Sequence, residues 1–166
     1  MSEDLAKRIV DAVAQDLSEL QFGERHDDVT DSVAGVVKKQ WNPWRRVFGG
    51  HGIAAVAVVP ESIGDCAELK TFVGMVRREI NDRYVGFAAY KSSHSFIVLV
   101  CPHRLFEACD DIASRLKDRT GLHTNIIQGV ILADGETGAV TGDYTRPAQH
   151  KREYDAVLSA TRRAAT

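Results

Sequence analysis

No apolar run in these 166 residues approaches the ~20 needed to cross a bilayer. The first residues, Met1-Ser2-Glu3-Asp4, are acidic and lack the basic-then-apolar order of a signal peptide. An excess of one charge is missing too. With 21 Lys and Arg against 23 Asp and Glu, the net charge of −2 gives no global attraction to nucleic acid, so such a partner would need a local patch. Cysteine is scarce: three residues, an odd number with no Cys-x-x-Cys pair, suit a reducing compartment better than a disulfide framework or a zinc ribbon. Internal repeats and low-complexity tracts are also missing. Together these absences predict a cytoplasmic, non-membrane protein. The 44% apolar and 27% charged residues are those of an ordinary globular chain, and the length suits one domain with a single core.

What is present reads as alternating elements. Leu5, Ile9, Val13, Leu17 and Leu20 recur at helical spacing, with Ser2 as a cap and Gly23 as a stop. After a polar turn at 23–28, Val29, Val33, Val36 and Val37 suggest a second helix over 28–40, broken at Asn42-Pro43. Three short strands are expected next, at 46–48, 53–59 and 66–72, joined by tight turns as an antiparallel meander. The stretch 73–90 has a helical period, although 84–91 also fits a strand. Residues 96–101 form the most apolar run and predict a strand buried on both faces. Pro102 opens a helix, 126–133 is a further core strand, 134–138 a turn, and 151–163 a final helix. The expected organisation is a single domain 1–166, with an N-terminal helix 1–22, a core 24–133, and a C-terminal hairpin and helix 134–166.

Within the third expected strand, Glu68 and Lys70 fall two residues apart and would share one face, because side chains alternate along a strand. An acid and an ammonium held side by side can bind a metal and steady a reacting phosphate. The predicted order around Glu68-Leu69-Lys70, preceded by the strand that starts at Gly52-Ile53-Ala54, resembles the PD-(D/E)xK nuclease superfamily over roughly 24–133. The resemblance implies a restriction-endonuclease-like α/β fold: a central mixed sheet with a three-strand meander, flanked by helices. It also implies a Mg²⁺ (or Mn²⁺) ion held by Glu68, the backbone carbonyl of Leu69, and an acid at position 55. Lys70 would then activate water for cleavage of a DNA phosphodiester in restriction, defence or repair. Position 55 is alanine, 13 residues before Glu68. The chain is therefore expected to be a poor catalyst as it stands, through a deliberate Asp-to-Ala replacement or as a natural pseudo-nuclease. Glu24 is the first candidate for a further acid, with Asp28 and Asp31 as alternatives, and Glu61 ranks below position 55 as the site acid.

Lys38, Lys39, Trp41, Trp44, Arg45 and Arg46 lie within nine residues, a composition that neutralises phosphate and stacks bases, or that plugs a core edge and faces solvent. Arg77 and Arg78 are candidate phosphate contacts or plain surface arginines. DNA is the expected partner, with a homodimer or larger complex supplying specificity. Two other functions fit the residues: a non-catalytic subunit that binds nucleic acid or protein through the 38–46 patch, and a ferredoxin-like regulatory module if 84–91 is extended. Cys101-Pro102-His103 stands at a strand-to-helix junction, where a thiolate would be favoured, but a cysteine closing an apolar strand is more simply buried. His51, His94, His123 and His150 are scattered through turns and termini, which points away from a metal cluster. The glycines around His51 precede a strand, a poor phosphate cradle.

Overall fold

Among the described residues, a valine-, isoleucine- and alanine-rich sheet of six strands forms the centre. The computed structural model describes residues 2–39, 52–85, 93–109, 111, 125–143 and 150–166. Its elements are α1 (Ser2–Ser18), β1 (Phe22–Asp27), β2 (Val33–Lys39), β3 (Gly52–Val58), α2 (Cys66–Ile80, continued by a π-turn, Asn81–Val85), β4 (Ser93–Cys101), α3 (His103–Ala108), β5 (Asn125–Asp134), β6 (Val140–Asp143) and α4 (Lys151–Ala165). The strands lie in chain order across the sheet. β1, β2 and β3 form an antiparallel meander, β3, β4 and β5 run parallel, and β6 returns antiparallel to β5.

Burial explains the pattern. β3 and β4 are apolar on both faces because each face is covered by helices. On one face Ile53, Ala55, Ile97, Leu99, Val130 and Leu132 pack with Leu69, Phe72, Val73, Val76 and Ile80 of α2 and Leu105 of α3. On the other, Ala54, Val56, Phe96, Val98, Val100 and Ile131 pack with Leu5, Ile9, Val13 and Leu17 of α1 and Tyr154, Val157 and Ala160 of α4. α1 sits close enough to β2 that a Cβ on Gly35 would come within 2.7 Å of both Val10 methyl carbons, so glycine is required there. The general α/β architecture agrees with the sequence: a mixed sheet flanked by helices.

The meander is built from other residues than expected. Residues 28–39 do not form a helix. Val33, Val36 and Val37 satisfy a helical period, but β-branched side chains around Gly35 favour extended backbone, and Val33–Lys39 is a strand. Phe22–Asp27, which takes in most of the expected polar turn 23–28, is the edge strand beside it. The strand expected at 46–48 lies outside the described residues.

The largest departure is at 66–72, which is the start of α2 rather than a strand. Asp65 is its N-cap, with Oδ1 accepting from Glu68 N–H at 2.8 Å, while Glu68 Oε2 accepts from Gly64 N–H at 2.6 Å. This is a variant of the capping box, in which an acid three residues into the helix reaches back over its start. Replacing Asp65 by Ala is expected to lower stability by about 1 kcal/mol, read from a urea denaturation midpoint. A loss under a few tenths would show that the cap is solvated away. The helical reading of 73–85 agrees with α2 and its π-turn, whereas 86–91 lie outside the described residues. The element order and the two parallel pairs differ from a ferredoxin-like module.

The cysteines also differ from expectation. Cys66, in the first turn of α2, is disulfide-bonded to Cys109 just after α3, with Cα atoms 5.8 Å apart. Cys101 is the remaining thiol and is buried. The cytoplasmic expectation thus loses the support it drew from unpaired cysteines. No helix among the described residues is long and apolar enough to cross a membrane.

Candidate metal centre

The residues expected to form a nuclease site are not brought together. Glu68 and Lys70 are exposed on the first turns of α2, and Glu68 is occupied in the cap. Leu69 is buried against the sheet. Ala55 is fully buried in the middle of β3, between Val36 of β2 and Ile97 of β4, so a carboxylate there would enter the apolar core. Glu24, on β1, pairs with Lys38 at 2.8 Å across the strands. The Lys38 ammonium also lies over the Tyr84 ring. Arg77 is partly buried and Arg78 exposed on α2. Trp41, Trp44, Arg45, Arg46, His51 and His123 lie outside the described residues.

A different constellation forms where β2 ends and β3 and β4 begin. Lys39 is the last residue of β2, Gly52 the first of β3 and His94 the second of β4. Lys39 and His94 meet the N-terminus of α4 at this end of the sheet, and Gly52 lies beside both. His150 is the N-cap residue of α4, in left-handed backbone conformation (φ 62°), and Glu153 lies in the first turn. Glu153 is positioned there by its neighbour Tyr154, whose ring packs so tightly that a Cβ on Gly129 would come within 2.5 Å of it.

The Glu153 carboxylate is shared out. Oε2 stands 2.6 Å from His94 Nε2 and 3.4 Å from His150 Nδ1, while Oε1 takes the Lys39 ammonium at 2.5 Å. The two imidazoles stack with centroids 3.4 Å apart and an 18° tilt. Phe96 closes the inner side, edge-on to His94. Side-chain exposure is 7% for His94, 10% for Glu153 and 33% for His150, so the cluster is buried but opens to solvent past His150. Gly52 clears the space: a Cβ there would stand 2.9–3.0 Å from Phe22, His94 Nε2 and Lys39 Cε.

Environment fixes the charges. Burial pushes the Glu153 carboxyl upward, but hydrogen bonds from His150, His94 and Lys39 outweigh it and hold the group well below the ordinary carboxylate range. The first turn of a helix also favours a negative charge. Burial lowers the pKa of His94, against the pull of Glu153, which favours the neutral imidazole a metal needs.

One ligand atom from each of His94, His150 and Glu153 lies within 4.8 Å of the others. A tetrahedral ion with bonds of about 2.0–2.1 Å holds neighbouring ligand atoms about 3.3 Å apart. The 2.6 and 3.4 Å separations bracket that value. The cluster can therefore hold a divalent metal ion. The scatter of histidines along the sequence hid it, because 94 and 150 converge only through the sheet and α4.

At the opposite end of the sheet, His103 Nδ1–H donates to the buried Asp134 carboxylate at 2.6 Å, and Nε2 lies 3.3 Å from Glu107. Asp134 also accepts from the Thr137 hydroxyl and the Glu136 N–H. The bond to Asp134 raises His103. Burial opposes ionisation of Asp134, but its hydrogen bonds win and lower its pKa. The His103 contribution is present below the ordinary histidine value of about 6.5 and is lost as pH rises through the raised one; the Asp134 contribution is present above about 3.9 and is lost on acidification. Stability of a His103→Gln protein is expected to lack the parent's decline above about pH 6.5, measured as denaturation midpoints across pH. An identical pH profile would remove the dyad from the account. Beside it, burial with Asp134 nearby pushes the Cys101 thiol up to about 12, so this cysteine is the buried, protonated thiol expected at the end of an apolar strand.

Compared with family models, curated proteins and solved structures, the chain matches none.

Proposed function

We propose that the protein is a metal-dependent hydrolase of phosphodiesters, with nucleic acid as its substrate class and His94, His150 and Glu153 as the ligands of its ion. The observation that carries this reading is the convergence of two imidazole nitrogens and one carboxylate oxygen in a buried, partly open pocket. Imidazole ligands favour zinc or a neighbouring transition metal over the Mg²⁺ or Mn²⁺ that the nuclease resemblance implies, since Mg²⁺ prefers all-oxygen coordination. Three protein ligands leave a position open, the arrangement of hydrolytic rather than structural zinc sites, and such an ion supplies an activated water at neutral pH. Glu153 and His94 would hold the ion, His150 would close the set on the solvent side, and Phe96 would keep the inner side dry.

The nucleic-acid assignment is supported by Lys38 and Lys39, which run directly into Trp41, Trp44, Arg45 and Arg46 in the sequence. The PD-(D/E)xK resemblance rests on a strand at 66–72, and those residues are the start of α2. Its site residues Glu68 and Lys70 do not contribute to this reading.

A test incubates the purified protein with single- and double-stranded DNA and RNA in Zn²⁺, Mn²⁺ or Mg²⁺, beside a His94→Ala protein. Metal-dependent cleavage lost in His94→Ala is expected. Cleavage that survives in His94→Ala but not in Glu68→Ala would return the site to α2. No cleavage by the parent with any of the metals would reject the hydrolase assignment.

A second reading is favoured by the 2.5 Å Lys39–Glu153 contact, which already neutralises the carboxylate. The cluster would then be a polar tie fastening α4 to the sheet in a non-catalytic binding subunit. Absence of ion binding, together with nucleic-acid binding that depends on Arg45 and Arg46, would select it.

A further inference from the structure

The metal reading leaves Lys39 without a role, and its position gives it one. Lys39 and the two histidines share the same carboxylate from opposite oxygens: the ammonium on Oε1, the ring nitrogens on Oε2. With Lys39 already offsetting Glu153, and with neutral imidazoles adding no charge, a dication would bring its full double charge into a mostly buried pocket. The pocket also lies at the N-terminus of α4, whose first-turn N–H groups make it more positive still. Uncompensated charge in such surroundings is costly. The fold supplies no second carboxylate to this cluster among the described residues. The missing negative charge must come from outside.

We infer that the loaded centre takes a tetrahedral oxyanion of the phosphate class, and that Lys39 is the side chain that contacts it. An ammonium has three N–H donors, and Glu153 Oε1 accepts from one of them. The Lys39 stem lies over the Phe22 ring, its ammonium 5.5 Å from the ring centroid, so the charge is held in place rather than swinging in solvent. Side-chain exposure of 16% keeps it reachable. Ion and anion then bind as a coupled pair, each strengthening the other by the same factor. This inference rests on the metal reading and adds the class of ligand the centre selects.

The experiment titrates metal-free protein with Zn²⁺ by calorimetry in chloride buffer, then with saturating methylphosphonate or dimethyl phosphate. Either anion is expected to tighten Zn²⁺ binding roughly tenfold, within the 5–150-fold range of coupled sites. The stronger effect with methylphosphonate would identify a monoester-like ligand, and with dimethyl phosphate a diester. In Lys39→Met, Zn²⁺ binding in chloride is expected to hold or tighten, because a repelling charge is gone, while coupling falls below about twofold. A purely structural lysine would instead weaken ion binding and leave the coupling intact. Lys39→Arg, which keeps the charge, should keep the coupling, and Lys39→Gln, which removes it, replaces Lys39→Met if that protein does not fold. Zn²⁺ binding without coupling in the parent, or coupling that survives in Lys39→Met, would overturn the inference alone. Failure of Zn²⁺ to bind the parent would remove the metal reading with it.

Discussion

Metal-free Glu153→Gln protein is expected to unfold about 3 kcal/mol more easily than the parent in urea at neutral pH. Removing one member of a buried ion pair strands the other, and the usual range for that is about 3–5 kcal/mol. The lower end applies here because Lys39 keeps 16% of its side-chain surface in water. Glutamine preserves the volume, so the loss isolates charge rather than packing. Two further bonds weaken with it, since a neutral amide is a poorer acceptor for His94 and His150 than a carboxylate. Combining Glu153→Gln with Lys39→Met should recover more than half of the loss, because the stranded ammonium is then gone. A cost below about 1 kcal/mol for the single variant would place the cluster among solvated surface pairs, where such values are normal.

The second large effect concerns the covalent link. The Cys66–Cys109 bond joins residues 43 apart and encloses α2 and α3, the helices that cover one face of the sheet, with strand β4 between them. Loop closure of that length predicts a contribution of about 3–4 kcal/mol, mainly by restricting the unfolded chain. For a domain of this size, that corresponds to a fall in Tm of roughly 10 °C on reduction or in Cys66→Ser. Thiol counting checks the same point independently. The native protein should show no reactive thiol, because Cys101 is buried and held protonated. Unfolding without reductant should reveal one, and unfolding with reductant three. Three thiols without reductant, and a Tm indifferent to it, would show the bond is not formed in solution.

The sequence carried the core more plainly than the site. Strand 96–101 was legible as an unbroken apolar run, 126–133 as one interrupted only by Gln128 and Gly129, and α1 and α4 as amphipathic helices. Residues 28–39 were misleading because valines at 29, 33, 36 and 37 satisfy a helical period, while β-branching and Gly35 favour a strand. Periodicity alone does not separate the two states there; branching at Cβ does. At 66–72, the Asp65-x-x-Glu68 spacing is the local signal of a helix: an acid at the cap and another three residues on mark a helix start. Reading Glu68 and Lys70 as neighbours on a strand made a capping residue look catalytic. The disulfide was invisible because Cys66 and Cys109 meet only after two crossovers have been laid on the sheet. His94 and Glu153 were hidden for the same reason, being 59 residues apart and joined by the fold alone. One local clue did exist: His150 and Glu153 stand three apart at the beginning of a helix, spacing that puts both on one face.

His94, His150 and Glu153 are placed to act as one metal-binding unit. The most direct test is a calorimetric titration of metal-free protein with Zn²⁺, beside His94→Ala and His150→Ala. A single site per chain is expected in the parent, weakened at least a hundredfold by either alanine, since each removes a ligand where even supporting residues matter 10–100-fold. Binding that is absent from the parent, or unchanged in both variants, would contradict the account.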